Sequence, residues 1–453
     1  MSKNPPKYLS TTNACKLCAP LGASLAFKGV EGAVPFLHGS QGCATYMRRY
    51  IISHFNEPID IASSALGEKN AVFGGGPNLK LGLTNVIKKY HPKLIGIATT
   101  CLTETIGDDV ARFLKEFVRE VNDPSLLPHL VRVSTPSYSG THMDGFHAAV
   151  TGLLESLAEA GPVNDRVTLL PGLVSPADLR HLREIMAAFS LPLVLLPDYS
   201  DTLDGSALST YEKIPAGGTL LADIKGAGAG QAVIEFGRTL ADYPSGGELL
   251  ARRFQLPRHT LGLPIGIRET DAFFAVLADL SGRSLPPSLA AERGRLIDSL
   301  VDGHKYLFGK RAVIFGEEDL VVGLASFLVE IGVKPVLCAS GGKSACLGRA
   351  IKAVCADLLP EMPVVRDGTD FFEIGEEAEQ LAPDLIIGHS KGYPLARKLD
   401  IPMLRVGFPI HDRMGGQRIL HLGYRGAQRL FDEIINTVID RSQSRSEVGY
   451  SYM

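Results

Sequence analysis

The sequence predicts an α/β protein made of three Rossmann-like, doubly wound domains with parallel sheets. Short apolar runs that read as buried strands alternate along the whole chain with longer stretches of helical periodicity. Several of those runs end in glycine, serine, threonine or cysteine, residues that suit a loop at a strand's carboxyl end, where open α/β sheets place their ligands. At 453 residues the chain also exceeds what one hydrophobic core serves. The expected division is 1–165, 166–308 and 309–453, the last including a C-terminal tail.

The first dozen residues are polar and carry Pro5-Pro6, an arm expected to lie on a partner or to be disordered. The apolar segment from Val34 runs into the glycine-rich turn His38-Gly-Ser-Gln-Gly-Cys43. Ala44 to Ile52 then makes a helix whose first turn holds residues 39–43, and a helix N-terminus favours the thiolate. Leu79, Leu83, Val86, Ile87 and Tyr90 fall at helical spacing, and His91-Pro92 stops that helix. Leu94 to Ala98 reads as a buried strand with Thr99-Thr100-Cys101 at its carboxyl end. Leu130 to Val133 is a further strand, followed by a hydroxyl-rich loop from Ser134 to His142.

The second domain opens with a strand at Val167. Ser175 caps a helix that has Pro176 at its first position and runs to about Phe189, and the strand Leu193 to Leu196 follows. Gly226 to Gly230 is glycine-rich, Leu261 to Ile265 resembles a short buried strand, and a helix is expected from Ser288 to Leu307. In the third domain Arg311 to Phe315 is a strand turning at Gly316. A helix from Asp319 to Ile331 stops at Gly332, and Val336-Leu337, Leu385 to Ile387 and Met403 to Val406 supply further strands.

Composition narrows the function. With 45% hydrophobic and 21% charged residues the chain is an ordinary globular one, and a formal charge of −3 gives no electrostatic case for nucleic acid or membrane. No signal peptide or spanning run is visible, so a cytoplasmic location is expected. Seven cysteines without a secretion signal point to metal ligation or buried free thiols rather than disulfides.

Cys18, Cys43 and Cys101 share a setting of turns and strand ends, which suggests one metal cluster; three unrelated core thiols are the competing account. Their spacing matches neither a zinc finger nor a bacterial ferredoxin. Cys15-Lys-Leu-Cys18 does not start a helix after a strand, as a redox dithiol would. Gly341-Gly-Lys-Ser344 mimics the end of a phosphate loop but has Leu337 where the earlier glycine belongs. Gly74-Gly-Gly76 is a turn or an anion cradle, and His38 is a structural histidine or a partner for a cluster sulfide. Glu104, Asp108 and Asp109 complement a helix dipole or meet a partner, while Cys338, Cys346 and Cys355 read as structural. No Gly-x-Gly-x-x-Gly follows a first strand, which argues against a nicotinamide enzyme.

A resemblance covers most of the chain. Cys18-Ala-Pro-Leu-Gly-Ala23, His38 to Cys43, His54-Phe-Asn-Glu-Pro58, Ala71-Val-Phe-Gly-Gly75, Thr99 to Asp109, Thr135-Pro-Ser137 and Arg405 to Arg413 together resemble the β-type subunits of the nitrogenase component 1 superfamily. Within it, the chain looks most like the NifN branch, the β-like subunits of the scaffold on which the iron-molybdenum cofactor matures. The resemblance implies that Cys43, Cys101 and Cys18 ligate an iron–sulfur cluster, [4Fe-4S] or P-cluster-like [8Fe-7S], shared with an α-like scaffold subunit in an α2β2 heterotetramer. It implies Cys15 as an outside candidate ligand and places Ser137 about where catalytic subunits offer a hydroxyl. The cofactor precursor would be held by the partner. The nitrogenase iron protein, with Arg48, Arg49 and Asp108 as footprint candidates, and precursor-donor proteins would be further partners. The alternative within the resemblance is the β subunit of the catalytic molybdenum-iron protein.

Overall fold

The computed structural model describes residues 14–121, 123–240 and 244–448; the expected N-terminal arm lies outside them. Its strands form three sheets, and every strand pair is parallel. The first contains β1 (Ala33–His38), β2 (Ala62–Ser63), β3 (Leu94–Thr99) and β4 (His129–Val133) in the order β2-β1-β3-β4. The second contains β5 (Val167–Leu170), β6 (Leu193–Leu195), β7 (Ala232–Phe236) and β8 (Arg258–Leu261) in the order β6-β5-β7-β8. The third, β11-β10-β9-β12-β13, takes β9 (Arg311–Gly316), β10 (Lys334–Ser340), β11 (Val364–Arg366), β12 (Leu385–Gly388) and β13 (Met403–Arg405). In each sheet the order reverses beside the first strand, the doubly wound pattern that opens a crevice at the strands' carboxyl ends.

Helices α1 (Ala19–Lys28), α2 (Gln41–Phe55), α3 (Glu68–Phe73), α4 (Gly76–Tyr90), α5 (Cys101–Ile106), α6 (Val110–Glu120) and α7 (His142–Leu157) surround the first sheet. α8 (Pro176–Ala188), α9 (Leu221–Gly226), α10 (Gly246–Phe254), α11 (Gly266–Ser281) and α12 (Pro287–Leu307) follow. α13 (Glu318–Glu330), α14 (Leu347–Cys355), α15 (Phe371–Leu381), α16 (Tyr393–Leu399) and α17 (Gly423–Arg445) complete the chain, and α17 crosses back to pack on α11 and α12. The cap expected at Ser175 is present, its hydroxyl accepting from the Asp178 N–H at 3.0 Å.

One expectation for the second sheet fails, and one of its strands goes unread, for local reasons. The strand expected at Leu261 to Ile265 lies upstream, at β8; the chain leaves the sheet at Gly262, and Pro264 has no N–H to give a ladder. β7 escapes sequence reading because Glu235 interrupts its apolar run. In the fold that carboxylate is buried and accepts from Ser245 Oγ (2.7 Å), the Gly247 N–H (3.1 Å) and Arg258 (2.8 Å).

All ten residues of α1 are buried, because it lies between the first sheet and α7. Two glycines allow that approach. A Cβ at Gly22 would stand 1.6 Å from the His142 carbonyl oxygen, and one at Gly145 would stand 1.8 Å from that of Ala19. Since backbone cannot move aside, Gly22→Ala should destabilise the chain by about 3 kcal/mol or more. Gly294→Ala, on α12 with open space around it, should stabilise it by about 0.4–1 kcal/mol. Denaturant midpoints of the two variants check the contrast.

A candidate thiol-lined cluster site

β1 and β3 are the strands at which the first sheet's order reverses. They pair from Ala33 with Leu94 to His38 with Thr99, so they end level and their loops start side by side. The Thr100 N–H donates to the His38 carbonyl at 3.1 Å and Thr103 Oγ1 donates to the same carbonyl at 3.0 Å. Gly39 lies so close to Thr100 that a Cβ there would be 2.2 Å from its hydroxyl. From this joint α2 and α5 diverge, with Cys43 in the first turn of one and Cys101 as the first residue of the other. Ser40 caps α2 by accepting from the Cys43 N–H at 3.5 Å, and its hydroxyl points to Cys43 Sγ at 3.8 Å.

Ser137, in the loop after β4, ties in the third thiol. Its N–H donates to Cys101 Sγ at 3.2 Å, while its Oγ accepts from the N–H of Ala19 at 3.2 Å and hydrogen-bonds Cys18, the N-cap of α1. Burial pushes the Cys18 thiol up, the Ser137 hydroxyl opposes that rise, and Cys101 and Cys43 are near enough to add to it. The three cysteines expected to act together therefore converge. All three are half-buried, whereas Cys15, Cys338, Cys346 and Cys355 are buried.

Cys15 does not join them. The segment from Cys15 to Cys18 turns its first thiol toward the third sheet, where Cys15 lies with Phe315 and Leu337, 3.7 Å from His389 Nε2. Burial pushes that thiol up to about 12, away from the thiolate that ligation uses. Lys391 Nζ fixes the same segment by donating to the Ala14 carbonyl at 2.6 Å.

The donor set at the convergence is sulfur with one hydroxyl, the soft chemistry that selects iron–sulfur clusters or zinc. Among the described residues no three His, Cys, Asp or Glu side chains stand close enough to hold a single ion. The thiols are brought together without forming a site for one ion. A groove of about 1050 Å³ opens beside them, lined by Cys18, Tyr46, Tyr50 and Ser137 and continuing to Arg366 and Lys391.

Residues 18–439 match the family model for nitrogenase component 1 type oxidoreductases. The chain belongs to the nitrogenase component 1 family. It is 35% identical over 433 residues to the nitrogenase molybdenum-iron protein beta chain of Clostridium pasteurianum, covering 95% of this chain and 93% of that one. It is 32% identical over 446 residues to the nitrogenase iron-molybdenum cofactor biosynthesis protein NifN of a Nostoc species, covering 97% and 96%. The solved structure of nitrogenase Cp1 at pH 6.5 superposes with a TM-score of 0.95 at 34% identity, over 100% of this chain and 98% of that one.

Around the thiols of this component 1 chain, the structure decides several readings that sequence left open. His38 is buried between Ser64 Oγ and Asp108 Oδ2, both at 3.0 Å, and burial lowers its pKa; both ring nitrogens are engaged, so it is structural. The Asp108 carboxylate also accepts from the Gly75 N–H at 3.0 Å, so the glycine turn cradles an anion that the protein itself supplies. With 4% of its side chain exposed, the Asp108 carboxylate faces inward, to His38 and the glycine turn. Asp109 caps α6 through the Arg112 N–H, and Glu104 accepts from Ser134 Oγ at 2.6 Å. The phosphate-loop mimic is closed in the same way, since Glu318 accepts from the Ser344 N–H at 3.1 Å and Gly341 packs on the Cys15 carbonyl.

Val72 and Phe73 were not singled out as site residues. They stand 78% and 85% exposed on α3, which packs against the Cys101 helix α5. Their signal is an apolar pair at a helix end that no core claims.

In the cluster-free chain under native conditions, iodoacetamide should label Cys18, Cys43 and Cys101 and leave Cys15, Cys338, Cys346 and Cys355 protected. Peptide mass spectrometry after a short exposure reads the pattern, and early labelling of Cys15 would contradict its placement.

Proposed function

We propose that this chain is the β-like subunit of a component 1 type α2β2 heterotetramer, and that it serves the scaffold on which the iron-molybdenum cofactor matures. The observation that carries this reading is the convergence of Cys18, Cys43, Cys101 and Ser137 beside an open groove. Cys43, Cys101 and Cys18 are the ligands this chain gives to an interfacial iron–sulfur cluster, and the α-like partner supplies the rest. The bound cluster supplies one-electron transfer. This chain's part is to present three thiols from rigid helix starts, to hold Ser137 against them, and to cover one side of the group from solvent. The precursor sits in the α-like partner, so no molybdenum ligand is assigned here. The exposed Val72 and Phe73 give the electron-donating iron protein an apolar contact next to α5.

Support for the scaffold role comes from the set of motifs spread along the chain and from the Nostoc relative named as a cofactor biosynthesis protein. The catalytic β subunit is the second reading, favoured by the Clostridium beta chain and by the presence of all three cysteines, the pattern of an eight-iron cluster. Anaerobic co-purification with the α-like partner separates the two. The scaffold reading expects cofactor maturation without sustained dinitrogen reduction, and high turnover with mature cofactor would establish the catalytic one. Under either reading Cys43→Ala should remove most of the interfacial iron. Unchanged iron in the purified variant complex would reject the ligand assignment.

A further inference from the structure

Away from the thiols, elements of all three sheet units line a cavity of about 40 Å³. It is bounded by the end of α2, the start of α8 and the loops after β9 and β13, with Val174, Leu320 and Phe408 among its apolar walls. Besides Ser175 and Asp178, which are closed on protein partners, three polar side chains interrupt those walls: His54, Glu317 and His421. Each is more than nine-tenths buried.

His421 carries the argument. Its Nδ1 lies 3.1 Å from Asp178 Oδ2. Burial raises the Asp178 pKa, but His421 and the N–H groups of His421 and Leu422 outweigh it and hold the carboxyl below its ordinary value. An ionised carboxylate only accepts, so Nδ1 carries a proton toward Asp178. The other ring nitrogen, Nε2, is buried and meets no hydrogen-bond partner in the protein. A buried polar atom left unpaired costs about 1–3 kcal/mol.

The facing groups supply what is missing, given one small molecule between them. His54 Nδ1 accepts from the Ile410 N–H at 2.9 Å, and burial lowers its pKa to about 3. The ring is therefore neutral with its proton on Nε2, a donor. Glu317 Oε1 accepts from His142 Nε2 at 3.0 Å. Its Oε2 lies toward Gly407, another wall of the cavity, where an added Cβ would come within 3.1 Å of it. The cavity thus offers a donor, an acceptor and the unpaired His421 Nε2, which a water molecule can satisfy together.

We infer that this cavity is a built hydration site, in which one water, or a chain of two or three, accepts from His54 Nε2, donates to the Glu317 carboxylate and hydrogen-bonds His421 Nε2. The volume suits that number at roughly 10–15 Å³ for each water. Among the described residues no three metal-ligating side chains come close enough to make it an ion site. Its position gives it reach. α2 carries His54 in its last turn and Cys43 in its first, and Glu317 holds His142, whose Nδ1 accepts from the Leu17 N–H at 3.3 Å, one residue before Cys18. The water is the node at which the supports of two thiol-bearing segments meet.

Crystals of the chain in complex with its α-like partner test this in two ways, by refinement of ordered solvent and by pressurisation with xenon, which enters dry apolar cavities. The expected result is solvent density within hydrogen-bond reach of His421 Nε2 and no xenon peak. Xenon in the cavity, or His421 Nε2 with no density beside it, would overturn the inference. So would a protein side chain found donating to that nitrogen.

Discussion

The parallel pairing of β1 with β3 is the constraint on which the thiol site depends. Six residues of each strand are buried and in register, so both strands stop at one level and release their loops into one crevice. The joint between those loops is made by backbone and small side chains, the His38 carbonyl, Gly39 and Thr100, which leaves little freedom for the helices that follow. Cys43 and Cys101 are placed by where those helices begin. Cys18 arrives from a different direction, on a helix pressed into the core by Gly22 and Gly145, and Ser137 ties it to Cys101.

A second regularity is that buried carboxylates are closed on partners inside the fold. Asp108 takes His38 and the Gly75 N–H, Glu317 takes His142, Asp178 takes His421, and Glu235 takes Arg258. Losing one partner of such a pair typically costs about 3–5 kcal/mol. Among these pairs, Asp108 occupies the anion site that the turn from Gly74 to Gly76 offers on sequence inspection, as Glu318 does at the turn from Gly341 to Ser344. The pairs also join units far apart in sequence, as when Glu317, at the start of α13, holds His142 at the start of α7 and through it the Leu17 amide.

Much of this was legible in the sequence, for physical reasons that also mark where reading stops. β3 was plain because both its faces are buried and its run is uniformly apolar, and the loops ending in Cys43 and Cys101 announced themselves by composition. β7 was hidden because one of its residues is a glutamate, whose arginine lies on a neighbouring strand. Cys15 and Cys18 stand three apart and look alike on paper. Only the third sheet, with His389 and Phe315 waiting for Cys15, separates a core thiol from a site thiol. The exposure of Phe73 and the burial of Asp108 are likewise properties of the assembled surface.

The central claim is that one group occupies the space among three thiols of this chain, and iron-edge anomalous diffraction from the anaerobic complex with the α-like partner tests it most directly. The account predicts iron peaks within bonding distance of the sulfurs of Cys18, Cys43 and Cys101, about 2.3 Å by analogy with other metal–thiolate bonds. An anomalous map with no iron at those sulfurs, in a complex that retains the fold described above, would contradict it.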